Sequence, residues 1–124
     1  MATIVIVEDQ PDNLKLLRTL LTMKGHEVIG LTSGEGLAQL LRDHRPAPQL
    51  VLLDIQLPKR DGYAVLQDLK TIEGDHPWKV VALTAHAMPG DREKALAAGF
   101  DGYLSKPIDV RTFPDAVARL LSSS

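Results

Sequence analysis

The chain has no cysteine, so a disulfide framework, a thiolate metal site and a cysteine nucleophile are all excluded. It also lacks a run of basic residues. The 14 Lys and Arg are interspersed with 16 Asp and Glu, for a formal net charge of −2, and this leaves no stripe to track a phosphate backbone, so direct nucleic-acid binding is not expected. No apolar run approaches the length needed to span a membrane, and Met1 to Thr3 run straight into Ile4-Val5-Ile6-Val7 without a basic leader. Internal repeats, low-complexity segments and interdomain linkers are missing as well. At 124 residues the expectation is a single domain over 1–124, cytoplasmic and without a membrane anchor.

What is present is a series of short apolar runs at strand length: Ile4 to Val7, Leu50 to Leu53, Val80 to Leu83, a weaker Tyr103-Leu104, and Val28-Ile29 as a fifth. Their apolar character is continuous rather than alternating, which means burial on both faces and therefore parallel strands covered by helices. The first intervening helix carries Leu14, Leu17 and Leu21 at helical spacing, with Pro11 suited to its first turn and Gly25 as its stop. Further helices fit about 33–44, 62–71, 89–98 and 109–121. Arg45-Pro46-Ala47-Pro48 reads as a stiff turn, and Ser122 to Ser124 as a frayed end. Strict βα alternation with right-handed crossovers predicts an α/β fold, a doubly wound five-stranded parallel sheet with five helices.

Ligands of such sheets bind beyond the carboxyl ends of the strands. Here those ends are all polar: Glu8-Asp9 after the first strand, Asp54 after the third, Thr84 after the fourth, and Ser105-Lys106-Pro107 after the fifth. Two carboxylates ~4 Å apart repel by roughly 4 kcal/mol at an effective dielectric near 20, so three need a cation beyond Lys106. An all-oxygen cluster selects a hard divalent ion, with Mg²⁺ favoured over Ca²⁺ where protein ligands are few. Mg²⁺ implies a phosphoryl ligand, and a carboxylate can accept that group as an aspartyl phosphate while Lys106 and Thr84 contact its oxygens.

These residues resemble the receiver domain of bacterial two-component response regulators over essentially residues 3 to 121. Glu8-Asp9 is similar to the acidic pair, Asp54-Ile55-Gln56-Leu57-Pro58 with Asp61-Gly62 to the phosphorylation loop, Leu83-Thr84-Ala85 to the hydroxyl motif, and Lys106-Pro107 to the lysine followed by proline. The resemblance implies a flavodoxin-like sheet of order 2-1-3-4-5. It implies Asp54 as phosphoacceptor, Asp9, Asp54 and the backbone carbonyl of Gln56 as Mg²⁺ ligands, Glu8 acting through water, and a cis bond before Pro107. It also implies a switch built on Thr84 and Tyr103, although a strand tyrosine can equally be plain packing. Two places depart from the family pattern: Arg60 stands where many relatives are apolar, and Trp78-Lys79 replaces a frequent Ile-Pro.

The expected partner is a histidine kinase or histidine phosphotransfer protein. A helical wheel sets Leu16, Leu20 and Asn13 away from the sheet-facing leucines, as a strip where that donor docks, unless the fifth helix covers it. The expectation is that no output domain follows residue 121, so that the chain resembles stand-alone regulators or receivers excised from hybrid kinases. Such a protein is not an enzyme beyond its own phosphorylation and dephosphorylation.

Competing readings fare less well. A receiver-like module read without phosphorylation would not need its acidic, hydroxyl and lysine positions intact. A Mg²⁺-dependent phosphohydrolase needs a second general acid, and Gln56 cannot serve. A nucleotide-binding protein needs a glycine-rich first turn, whereas Glu8-Asp9-Gln10-Pro11 is acidic. Glu8-Asp9 could in principle only cap the first helix. His26, His44, His76 and His86 are scattered, which speaks against zinc, with His86 alone near the site.

Overall fold

The computed structural model describes residues 2–57, 61–72, 78–85 and 88–122. Five parallel strands, β1 (Thr3–Val7), β2 (Glu27–Leu31), β3 (Leu50–Asp54), β4 (Lys79–Thr84) and β5 (Gly102–Ser105), alternate with helices α1 (Pro11–Met23), α2 (Leu37–Asp43), α3 (Gly62–Lys70), α4 (Asp91–Ala98) and α5 (Phe113–Ser122). The strand order is β2-β1-β3-β4-β5, as the family resemblance implied. β1 and β3 are buried along their whole length, and the edge strands β2 and β5 only in part. That gradient explains why Val28-Ile29 and Tyr103-Leu104 were the faintest apolar runs: an edge strand needs fewer apolar residues.

Two apolar layers flank the sheet. On one face Val5, Val7, Val51, Leu53 and Ala82 meet Leu37 and Leu41 of α2, Val65, Leu66 and Leu69 of α3, and Ala95 of α4. On the other, Ile4, Ile6, Leu50, Leu52, Val81 and Leu83 meet Leu17 and Leu21 of α1 and Phe113 and Val117 of α5. Leu17 and Leu21 are fully buried, a contribution of about 1.5–3 kcal/mol each. Leu14, expected on the same face, is half-buried against that layer.

Pro11 opens α1. Its end is a Schellman arrangement: the His26 N–H donates to the Leu21 carbonyl at 3.2 Å, the Gly25 N–H to that of Thr22 at 2.9 Å, and Gly25 takes φ 88°. Three helices start later than the periodicity predicts. Before α2 the Ser33 hydroxyl accepts from the Glu35 N–H at 3.3 Å. Before α4 the Asp91 carboxylate accepts from the Met88 N–H at 2.9 Å, and before α5 Asp109 accepts from the Arg111 N–H at 2.9 Å. Short polar side chains thus capture the backbone in turns just ahead of each helix. The bond before Pro107 is cis, and so is Arg45-Pro46, for which the sequence carried no sign. No described helix is long and apolar enough to cross a membrane.

Candidate functional site

The register sets the site. Val7 pairs with Leu53, so Glu8 and Asp54 emerge side by side at the ends of β1 and β3. Asp54 pairs with Leu83, and the Ile55 N–H extends that ladder to the Leu83 carbonyl at 2.9 Å. Thr84 pairs with Ser105, and the Lys106 N–H reaches the Thr84 carbonyl at 2.8 Å. Four strands therefore deliver Glu8, Asp54, Thr84 and Lys106 to one edge. Carboxylate oxygens of Glu8, Asp9 and Asp54 lie within 4.8 Å of one another, close enough to share a cation.

Glu8 is fully buried, and Asp54 and Thr84 are 2 % and 3 % exposed. The Lys106 ammonium bridges the two buried carboxylates, donating to Glu8 Oε1 and, at 2.9 Å, to Asp54 Oδ2. The remaining oxygens take backbone donors, Glu8 Oε2 from the Gln10 N–H at 3.1 Å and Asp54 Oδ1 from the Gln56 N–H at 2.8 Å. Burial pushes the Glu8 carboxyl above its ordinary pKa, opposed by the bonds from Lys106 and Gln10 and reinforced by the neighbouring Asp54. Burial alone would lower the Lys106 pKa, yet the bonds to Glu8 and Asp54 outweigh it and the net shift is upward. Asp9 lies outside this bridge among the described residues and is half-exposed at the rim.

Ile55, next to Asp54, is tied directly to the start of α3. Asp61 caps that helix, accepting from the Ala64 N–H at 2.8 Å. The Gly62 N–H donates to the Ile55 carbonyl at 2.7 Å, and a Cβ on Gly62 would stand 2.7 Å from Ile55 Cα and 2.8 Å from the Asp54 carbonyl oxygen. Only a residue without a side chain lets α3 approach this closely. α1 is capped differently from the bland expectation: its N-cap is Gln10 with no side-chain bond, so neither Glu8 nor Asp9 serves as the cap.

Tyr103 pairs with Ala82 and packs in the α2–α4 layer, the face to which alternation also assigns Thr84. Its hydroxyl is buried without a hydrogen-bond partner among the described residues. In the strip on α1, Asn13 and Leu16 are half-exposed, whereas Leu20 packs partly against the α1–α5 layer, and the two helices touch. Trp78 packs partly against the other layer, and Lys79 donates to the Leu120 carbonyl at 2.7 Å, remote from the acidic cluster. Pro58, Arg60, His76 and His86 lie outside the described residues.

A family model described as the response regulator receiver domain matches residues 4–118. The chain belongs to this family. Among relatives, it is 39% identical over 122 residues to the polar-differentiation response regulator DivK of Brucella ovis, covering 98% of each chain. A response regulator receiver protein from Burkholderia phymatum is 31% identical with a TM-score of 0.83, over 100% of this chain and 98% of that one. The receiver domain of a sensor histidine kinase from Pseudomonas aeruginosa is 30% identical with a TM-score of 0.84 over 98% of each chain, and its structure holds a magnesium ion coordinated in the active site cleft.

Two features of the site had no counterpart in the sequence reading. One is the direct grip of Lys106 on Glu8, which only the fifth strand's register produces. The other is the approach of α4 residues Asp91 and Lys94 to Tyr63, Gln56 and Thr84, for which weakly patterned α4 carried no signal.

Proposed function

We propose that Asp54 accepts a phosphoryl group from a phosphohistidine, on a histidine kinase or histidine phosphotransfer protein, in a Mg²⁺-dependent reaction that switches partner binding. The observation that carries this reading is a buried Asp54 whose two oxygens are held by Lys106 and the Gln56 N–H, beside two further carboxylates. Such a set is charged beyond what Lys106 neutralises, and its donors are all oxygen, which fits Mg²⁺. Asp9, Asp54 and the Gln56 carbonyl would ligate the ion directly and Glu8 through water. When bound, the ion supplies positive charge to the phosphoryl oxygens. An Asp54 oxygen forms the bond to phosphorus as the phosphorus–nitrogen bond of the donor breaks, and Lys106 and Thr84 meet the resulting oxygens.

Residues 1–124 act as one receiver unit in the cytoplasm and catalyse only their own phosphorylation and dephosphorylation. Asn13, Leu16 and Leu20 on α1 dock the donor, with Leu16 the more available of the two leucines since Leu20 is partly committed to the core. Thr84 drawn toward the phosphoryl group changes the space above Tyr103, whose hydroxyl has no hydrogen-bond partner among the described residues, and the α4–β5–α5 face follows. Asp54→Asn should abolish acid-labile label from a phosphohistidine donor while the fold persists. Label retained at the wild-type level would overturn the reading.

A further inference from the structure

Adjoining Asp54 is a cavity of about 130 Å³ lined by Ile55, Gln56, Tyr63, Thr84, Asp91 and Lys94. Ile55 and Gln56 directly follow the phosphoacceptor, and the Gln56 N–H is bonded to it. The opposite wall belongs to α4. There the Lys94 ammonium lies 5.2 Å from the Tyr63 ring centroid, within cation–π range, which holds the side chain in place. The ring is itself fixed by an edge-on contact with Phe100 at 5.6 Å. The cavity's other charge, Asp91, already accepts from the Met88 N–H through Oδ2. Lys106 is committed to Glu8 and Asp54, whereas Lys94 is in no ion pair among the described residues. The cavity therefore has a hydroxyl and an amide beside Asp54 and, on the α4 side, the Lys94 cation next to the Asp91 carboxylate, which already holds the Met88 N–H.

We propose that Lys94 makes this cavity a subsite for small acyl phosphates, receiving the carboxylate that leaves when Asp54 takes the phosphoryl group. The proposal rests on Asp54 being the phosphoacceptor. As an Asp54 oxygen bonds to phosphorus, the bond from phosphorus to the acyl oxygen breaks, and the electron pair departs on the carboxylate, whose new charge faces Lys94. A preorganised cation at the point where charge develops lowers that barrier. Phosphoramidate supplies the opposite case: protonated on nitrogen, it loses neutral ammonia when the phosphorus–nitrogen bond breaks, and it needs no cation at that end.

The test compares phosphorylation rates of the full chain, with Mg²⁺, using acetyl phosphate and phosphoramidate. Lys94→Met should slow acetyl phosphate about tenfold, the loss expected for one charge-assisted contact. Phosphoramidate should change by less than about twofold, since a screened surface charge acts weakly. Lys94→Arg should restore the acetyl phosphate rate. Arg92→Met removes the same charge from α4 at a residue lining a different cleft with Ile108 and Phe113, and should leave the ratio of the two rates unchanged. Equal slowing of both donors by Lys94→Met, or an equal change in ratio from Arg92→Met, would overturn the subsite. Failure of wild type to take label from either donor would instead overturn the reading of Asp54, and the subsite with it.

Discussion

The two ends of the sheet are built from the same five strands and treat polar groups in opposite ways. At the amino end they pair off: the Glu27 N–H meets the Ala2 carbonyl, the Gln49 N–H that of Thr3, and the Lys79 N–H that of Gln49, at 2.9, 2.9 and 3.0 Å. Asp101 bonds Val80 twice, accepting from its N–H at 2.8 Å and donating its own N–H to the Val80 carbonyl at 2.7 Å. The Ala2 N–H finds the His26 ring at 3.2 Å. At the carboxyl end three carboxylates cluster beside one half-buried lysine, and two of them are buried. One end is satisfied by construction and the other waits for added positive charge. The surplus negative charge at the carboxyl end is therefore available for binding a cation.

That contrast can be broken most strongly at Gly62, the close contact that ties Ile55 to the start of α3. Gly62→Ala should destabilise the fold by about 1–3 kcal/mol, because the added methyl meets backbone rather than a flexible side chain. It should also slow phosphorylation. Denaturant melts and label incorporation check the two effects, and a variant as stable as wild type would show that α3 can stand off without loss.

A smaller effect sharpens the comparison from the charged side. Asp9 belongs to the carboxylate cluster but not to the Lys106 bridge, so Asp9→Asn removes repulsion without orphaning a partner. In chelator its melting temperature should rise, by on the order of 0.5–1 kcal/mol in stability. The extra stabilisation that added Mg²⁺ confers should shrink. An unchanged melting temperature in chelator would mean that the cluster is not strained by charge.

The smallest effect belongs to the amino end. Burial, the larger cause, lowers the His26 pKa from 6.5, and its Nδ1 accepts from the Ala2 N–H only while unprotonated there. The folded chain then holds fewer protons on this ring than the unfolded chain. Stability should be full above pH 6.5 and decline as pH falls through 6.5 toward the folded value. Unfolding at pH 7.5 and pH 5.5 should show that slope in wild type and a shallower one in His26→Gln, while phosphorylation at neutral pH stays unaffected.

The chemistry at the carboxyl end was more legible in the sequence than the details of the fold around it. Glu8, Asp9, Asp54, Thr84 and Lys106 stand out because each interrupts an apolar strand with a polar residue at its carboxyl end. Continuous apolar runs likewise announced buried parallel strands. The starts of α2, α4 and α5 were misjudged by two to four residues, since a Ser or Asp that bonds its own turn looks like one that opens a helix.

By itself the sequence determined the βα alternation, the parallel sheet and the set of groups that meet at its edge, because burial period and polar strand ends are local properties of the chain. Only the tertiary structure decided who holds whom. Register between β1, β3 and β5 placed Lys106 between Glu8 and Asp54 and left Asp9 outside that bridge. Packing of α4 against α3 set Lys94 over Tyr63 beside the same pocket. Both arrangements depend on distances between segments far apart in sequence, which no local pattern encodes.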